Sequence, residues 1–230
     1  MTRRTLLSLL ALFLLIATGP ALAEDKTEPI KVACAGDSIT FGAAIKDRKT
    51  NCYPTQLGRM LGEGYRVANF GVNAATMLKK GNKPYWKLKQ FQAAQDTQPD
   101  IVIIKLGTND TKPNNWQHHE QLQPDYTEMV RLFQSLASKP TVYICHPVPV
   151  VGEQWGINDK TVREGVIPVV DKVAKETGAK VIDLYTPLKD KPELLPDKVH
   201  PNAEGAKIIA QTIAAVLTDK ADKADKAESE

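Results

Sequence analysis

Serine is scarce in this 230-residue chain: there are five, and only one has a reactive setting. Ser8 lies in an apolar leader, Ser135 and Ser138 in a helical pattern, and Ser229 in a charged tail. Ser38 alone follows an apolar run and a glycine. No Gly-x-Ser-x-Gly is present, which argues against the nucleophile elbow of an α/β-hydrolase. No Gly-x-Gly-x-x-Gly or Walker pattern is present, so no nucleotide cofactor is expected. His-x-x-x-His and Cys-x-x-Cys spacings are also missing. His118, His119, Glu120 and His146 can be assembled only on paper, because adjacent histidines point apart on any regular element; no metal is expected. With three cysteines not all can pair, and no disulfide is expected. Cys34 and Cys145 fall in apolar runs and read as small core residues.

Strong charge of either sign is lacking too. The formal net charge is +3, and two arginines belong to the leader, so the remainder is nearly neutral and gives no reason to expect nucleic acid as a partner. Residues 1–23 read as a secretory signal: Arg3-Arg4, an apolar stretch over 6–17, and a small-x-small site at Ala21-Leu22-Ala23. The stretch is too short to favour a membrane span. Secretion or a periplasmic location is expected. Residues 24–218 carry one domain, and 219–230, with Asp-Lys-Ala repeated, read as a charged tail that is a frayed helix end or disordered.

Within the domain, five apolar runs (30–35, 66–70, 100–106, 140–145 and 180–184) alternate with helical stretches. Runs without polar alternation suit strands covered on both faces. Strands alternating with helices imply a parallel sheet of right-handed units. The expected fold is α/β: a three-layer α/β/α sandwich with a five-stranded parallel sheet, flavodoxin-like in outline. Tyr126, Met129, Val130 and Phe133 form one helical stripe, and Ala206, Ile209, Ala210 and Ile213 another. Pro201 and Asn202 mark the start of the last helix, so His200 stands just before it.

In such sheets ligands bind at the carboxyl ends of the strands. Ser38 lies just past the first, in Gly36-Asp37-Ser38-Ile39-Thr40. Gly107-Thr108-Asn109-Asp110 follows the third and offers an amide for an oxyanion. Asp197-Lys198-Val199-His200 supplies a histidine three residues after a carboxylate, the pairing a nucleophilic serine needs. Catalytic Ser38, His200 and Asp197 are therefore expected, with Asp110 as a structural hydrogen-bonding group.

These three blocks, in this order, resemble the GDSL-type (SGNH) esterase/lipase family across the chain between leader and tail. The resemblance implies the same fold, an ester hydrolase acting through an acyl-enzyme, and an oxyanion hole made by the Ser38 and Ala74 backbone N–H groups and the Asn109 side chain. The family usually has glycine where this chain has Ala74. A backbone N–H survives that change, but a positive φ there would strain alanine by about 1 kcal/mol.

Trp86, Trp116 and Trp155 each fall in a different loop at the carboxyl edge, beside amides, and suit sugar rings. The loops supply few aliphatic residues for a long acyl chain. The expected substrate is a short, acetyl ester on a carbohydrate. A lysophospholipase or thioesterase of the same family is the alternative, and a catalytically inactive carbohydrate-binding module is a third reading.

Overall fold

Each of the five apolar runs between residues 30 and 184 becomes a strand of one parallel sheet. The computed structural model describes residues 28–228, with side chains to residue 219. The leader at 1–23 lies outside the described residues. The strands are β1 (Ile30–Gly36), β2 (Tyr65–Gly71), β3 (Ile101–Lys105), β4 (Thr141–His146), the short pair β5 (Glu153–Gln154) and β6 (Ile157–Asn158), and β7 (Lys180–Asp183). The sheet order is β2-β1-β3-β4-β7, all parallel. β5 and β6 pair separately as an antiparallel hairpin.

Side chains of alternate residues enter two different cores. Val32 and Cys34 of β1, Ile103 of β3 and Cys145 of β4 pack with Tyr53 and Leu57 of helix Tyr53–Leu61 and with Ile209, Ala210 and Ile213 of the last helix. Ala33, Ala35, Val102 and Ile104 face the other way, onto Phe91, Tyr126, Met129, Phe133 and Val170. This two-sided burial explains why the strands read as continuous apolar runs. Cys34, Cys52 and Cys145 are buried and free.

Element ends follow local chemistry. Helix Ile167–Thr177 runs on directly from a π-helical turn over Val162–Val166 and has Pro168 in its first turn. Gly178, at φ 74°, closes it. Asn202 accepts the Gly205 N–H at 2.9 Å and caps the last helix. That helix runs Ala203–Glu228, so its backbone continues through the segment expected as a tail. Alanine and lysine are among the best helix formers, which favours this continuation. Among the described residues no helix is long and apolar enough to cross a membrane.

Candidate active site

The register of the sheet brings the first two of the sequence blocks side by side. Gly36, the last residue of β1, pairs with Gly71 on one side and Lys105 on the other. A Cβ on Gly36 would overlap Thr40 Oγ1 and the Lys105 carbonyl, and one on Gly71 would overlap the Phe41 backbone N. Both glycines are therefore required by close backbone approach.

Beyond Gly36 the chain turns into a single helical turn, Ser38–Phe41. Asp37 caps it, its Oδ1 accepting the Ile39 N–H at 2.9 Å. Asn69 Nδ2 donates to the Thr40 carbonyl at 2.8 Å and ties the turn to β2. Ser38 thus sits on a short turn fixed from both ends and is 8% exposed.

His200 reaches Ser38 from the loop before the last helix. Its Nε2 lies 2.8 Å from Ser38 Oγ, and its Nδ1 lies 2.8 Å from Asp197 Oδ2. The other Asp197 oxygen accepts the backbone N–H groups of Val199 at 3.0 Å and His200 at 2.7 Å. Burial pushes the Asp197 carboxyl up, but the hydrogen bonds from His200 and Val199 outweigh it and hold the group below the usual carboxylate value. An ionised Asp197 accepts from Nδ1–H, which leaves Nε2 to accept the Ser38 hydroxyl proton.

A pocket of about 200 Å³ opens over this pair, lined by Ser38, Asn73, Ala74, Asn109, Lys112, Trp155 and His200 among others. The backbone N–H groups of Ser38 and Ala74 take no acceptor within the described residues. Asn109 is nearly buried and donates one Nδ2 hydrogen to the Ala75 carbonyl at 3.1 Å, so its second hydrogen stays free. Ala74 has φ 62°, so the strain foreseen for a positive φ is present.

Asp110, next to Asn109, is fully buried. Its two oxygens accept the Met77 and Leu78 N–H groups at 3.0 and 2.7 Å. Burial pushes its carboxyl up to about 6, against those hydrogen bonds. It joins the loop after β3 to the loop that carries Ala74.

The three tryptophans do not share one role. Trp86 Nε1 donates to the Met77 carbonyl at 2.8 Å, and its ring packs edge-on against Phe91. Trp116 packs on the core beside Gly165 and stacks on His119 at 5.3 Å. Both serve to anchor loops and neither lines the pocket. Trp155, at the tip of the β5–β6 hairpin, is 56% exposed, and its ring lies 5.7 Å from the His200 ring. An indole N–H with a carbonyl partner and an apolar body go together in a covered loop base, and sequence does not reveal which tryptophan finds that partner.

Sequence reasoning missed two lysines. Lys105, inside an apolar run, is fully buried with its Nζ 3.1 Å from Asp37 Oδ2 and 2.8 Å from Thr108 Oγ1. Its being the one charge between Ile101 and Leu106 is the signal that was available. Lys112 lines the pocket, and its place two residues after Asp110 was its only mark. Of the histidines outside the site, His146 Nε2 lies 2.8 Å from Asp171 Oδ1. Among the described residues no group of three or more His, Cys, Asp or Glu side chains is placed to hold a metal ion.

A serine, a histidine and an aspartate in hydrogen-bond series at the carboxyl edge of a parallel sheet define a serine hydrolase site. Within that class, residues 34–208 match the GDSL-like lipase/acylhydrolase family, and the chain belongs to it. It is 39% identical over 215 residues to an acetylxylan esterase of Xylanibacter ruminicola, a match covering 86% of this chain and 45% of that protein. The chain therefore spans less than half the length of this curated relative. Among solved structures, a carbohydrate acetylesterase from Sinorhizobium meliloti superposes with a TM-score of 0.68 at 19% identity, over 83% of this chain and 99% of that one. An aryl esterase from M. smegmatis gives 0.67 at 18% identity, over the same shares. At these identities the structural likeness speaks for the fold.

Proposed function

We propose that this protein is a serine esterase that removes acetyl groups from carbohydrate. The observation that carries the reading is the unbroken series Asp197–His200–Ser38 at the mouth of a small pocket beside three free donors. Ser38 Oγ bonds to the ester carbonyl carbon as its proton passes to His200 Nε2. The carbonyl oxygen becomes an oxyanion facing the Ser38 and Ala74 N–H groups and the Asn109 amide. Collapse breaks the bond to the alcohol, which leaves with the proton from His200. Water then attacks the acyl-Ser38, gives its proton to His200, and acetate departs as Ser38 recovers its hydrogen.

The acetyl preference follows from volume. A pocket of about 200 Å³ falls below the roughly 300–1,000 Å³ of drug-sized sites and leaves little room for a fatty chain. The acetylxylan esterase relative supports a carbohydrate as the alcohol part. The pattern over 1–23 supports export to the periplasm or medium.

The test is hydrolysis of 4-nitrophenyl acetate, octanoate and palmitate and of acetylated xylan, with Ser38→Ala alongside. Acetate esters turned over fastest, with activity lost in the variant, is the expected result. Faster palmitate turnover overturns the short-chain reading. Wild-type protein that binds glycan but is not labelled by a fluorophosphonate overturns the enzyme.

A further inference from the structure

The catalytic pocket contains a cation that the reaction does not use. Lys112 lines it together with Ser38, His200 and Trp155. The backbone around Lys112 is fixed: its N–H donates to the Asn109 carbonyl at 3.3 Å, and its own carbonyl accepts the Asn115 and Trp116 N–H groups, both at 2.8 Å. Lys112 is thus held by the same segment that places Asn109.

No carboxylate of the described residues pairs with it. The acidic group that acts on Lys112 is Asp37, and Asp37 is already engaged by Lys105 in the buried pair below. Burial lowers the Lys112 ammonium from its ordinary value, and Asp37 opposes that only in part. A half-buried ammonium with no partner is stabilised by any anion that enters.

The neighbour of Lys112 on the hairpin is an aromatic face. The Gly156 backbone faces Pro113 and the Lys112 stem, so that an added Cβ would come 3.0 Å from Pro113 Cδ and 4.0 Å from Lys112 Cγ, and Trp155 and Lys112 line the same pocket. Trp155 and Gly156 have φ 53° and 77°, the two successive positive values of a tight hairpin turn. A bulky residue in that region is strained, yet here it holds an indole in the open beside His200.

We propose that Lys112 and Trp155 form a subsite for an acidic sugar, a uronate unit adjoining the acetylated one, with its ring against the indole and its carboxylate on the Lys112 ammonium. This rests on the carbohydrate ester reading and names the charge of its substrate.

The experiment compares acetate release from two acetylated oligosaccharides of one backbone, with and without a uronic acid branch. Each rate is normalised to 4-nitrophenyl acetate hydrolysis by the same preparation. In low salt the wild-type protein is expected to favour the uronate-bearing substrate about fivefold in kcat/KM, the scale of a partly exposed ion pair. The ratio falls to about one in Lys112→Met, is kept in Lys112→Arg, and shrinks as salt is added. Equal release from both substrates by the wild-type protein overturns the acidic subsite and leaves the carbohydrate reading standing. So does a preference that Lys112→Met retains. Release from neither, with 4-nitrophenyl acetate still cleaved in a Ser38-dependent way, overturns the carbohydrate reading and the subsite with it.

Discussion

Lys105 Nζ stands 3.1 Å from Asp37 Oδ2, with neither side chain exposed, directly beneath the turn that presents Ser38. The pair links β3 to the cap of that turn, because the other Asp37 oxygen accepts the Ile39 N–H. Through Thr108 Oγ1 it also reaches the segment of Asn109. Burial lowers the Lys105 ammonium from its ordinary value, while Asp37 holds it up. Lys105→Met leaves the Asp37 charge alone in the core and is expected to cost about 3–5 kcal/mol of stability. The double variant Asp37→Asn/Lys105→Met is expected to cost less than the sum of the single ones. Urea denaturation of all four proteins measures this coupling, and additive losses would show that the pair is not a unit.

Asn109→Ala removes the one side-chain donor offered to the oxyanion. A loss on the order of 10²–10³ in kcat with KM little changed is expected, because the interaction is strongest in the transition state. Steady-state kinetics on 4-nitrophenyl acetate decide this. A rise in KM at constant kcat would assign Asn109 to substrate binding instead.

Ala74→Gly keeps the backbone N–H and removes a side chain held at φ 62°. The strain released is about 1 kcal/mol or slightly more, partly offset by the greater freedom of glycine in the unfolded chain. The midpoint of chemical denaturation is expected to rise by a corresponding small amount. A fall would mean that the methyl group contributes packing worth more than the strain.

Asp110 has a folded-state value near 6, against an ordinary value of 3.8. Between these two pH values the folded protein holds a proton that the unfolded chain has released. The contribution of this group to stability therefore grows as pH falls from about 6 towards 4, and is lost as pH rises through that window, by on the order of 3 kcal/mol in total. Asp110→Asn cannot titrate. The difference in unfolding free energy between wild type and variant should thus change with pH across this window and level off above about 7. A constant difference would place the Asp110 value outside it.

Much of this arrangement was legible in the sequence. β1 and β3 are buried on both faces, so Val32 to Ala35 and Val102 to Ile104 had to be apolar throughout, and each run ends at a glycine or next to one. His200 and Asp197 could be paired because three residues suffice for a tight loop in which one carboxylate oxygen takes the His200 and Val199 amides and the other the ring. Three things were not legible. A lysine in a strand tells nothing of its partner until β1 and β3 are aligned side by side. Trp86, Trp116 and Trp155 look alike in composition, and only the Met77 carbonyl and the Gly165 backbone separate the first two from the third. The β5–β6 hairpin is two residues per strand, too short for any period to register.

His200 and Ser38 are 162 positions apart along the chain. Joining them closes a very long loop, an entropic cost that only the completed sheet and the docked last helix offset. Recovery of ester cleavage during refolding is therefore a late event and reports arrival of the C-terminal segment, whatever spectroscopic signals the earlier strands have already produced. A polypeptide still emerging from a ribosome is catalytically silent until nearly all of the domain is free to fold.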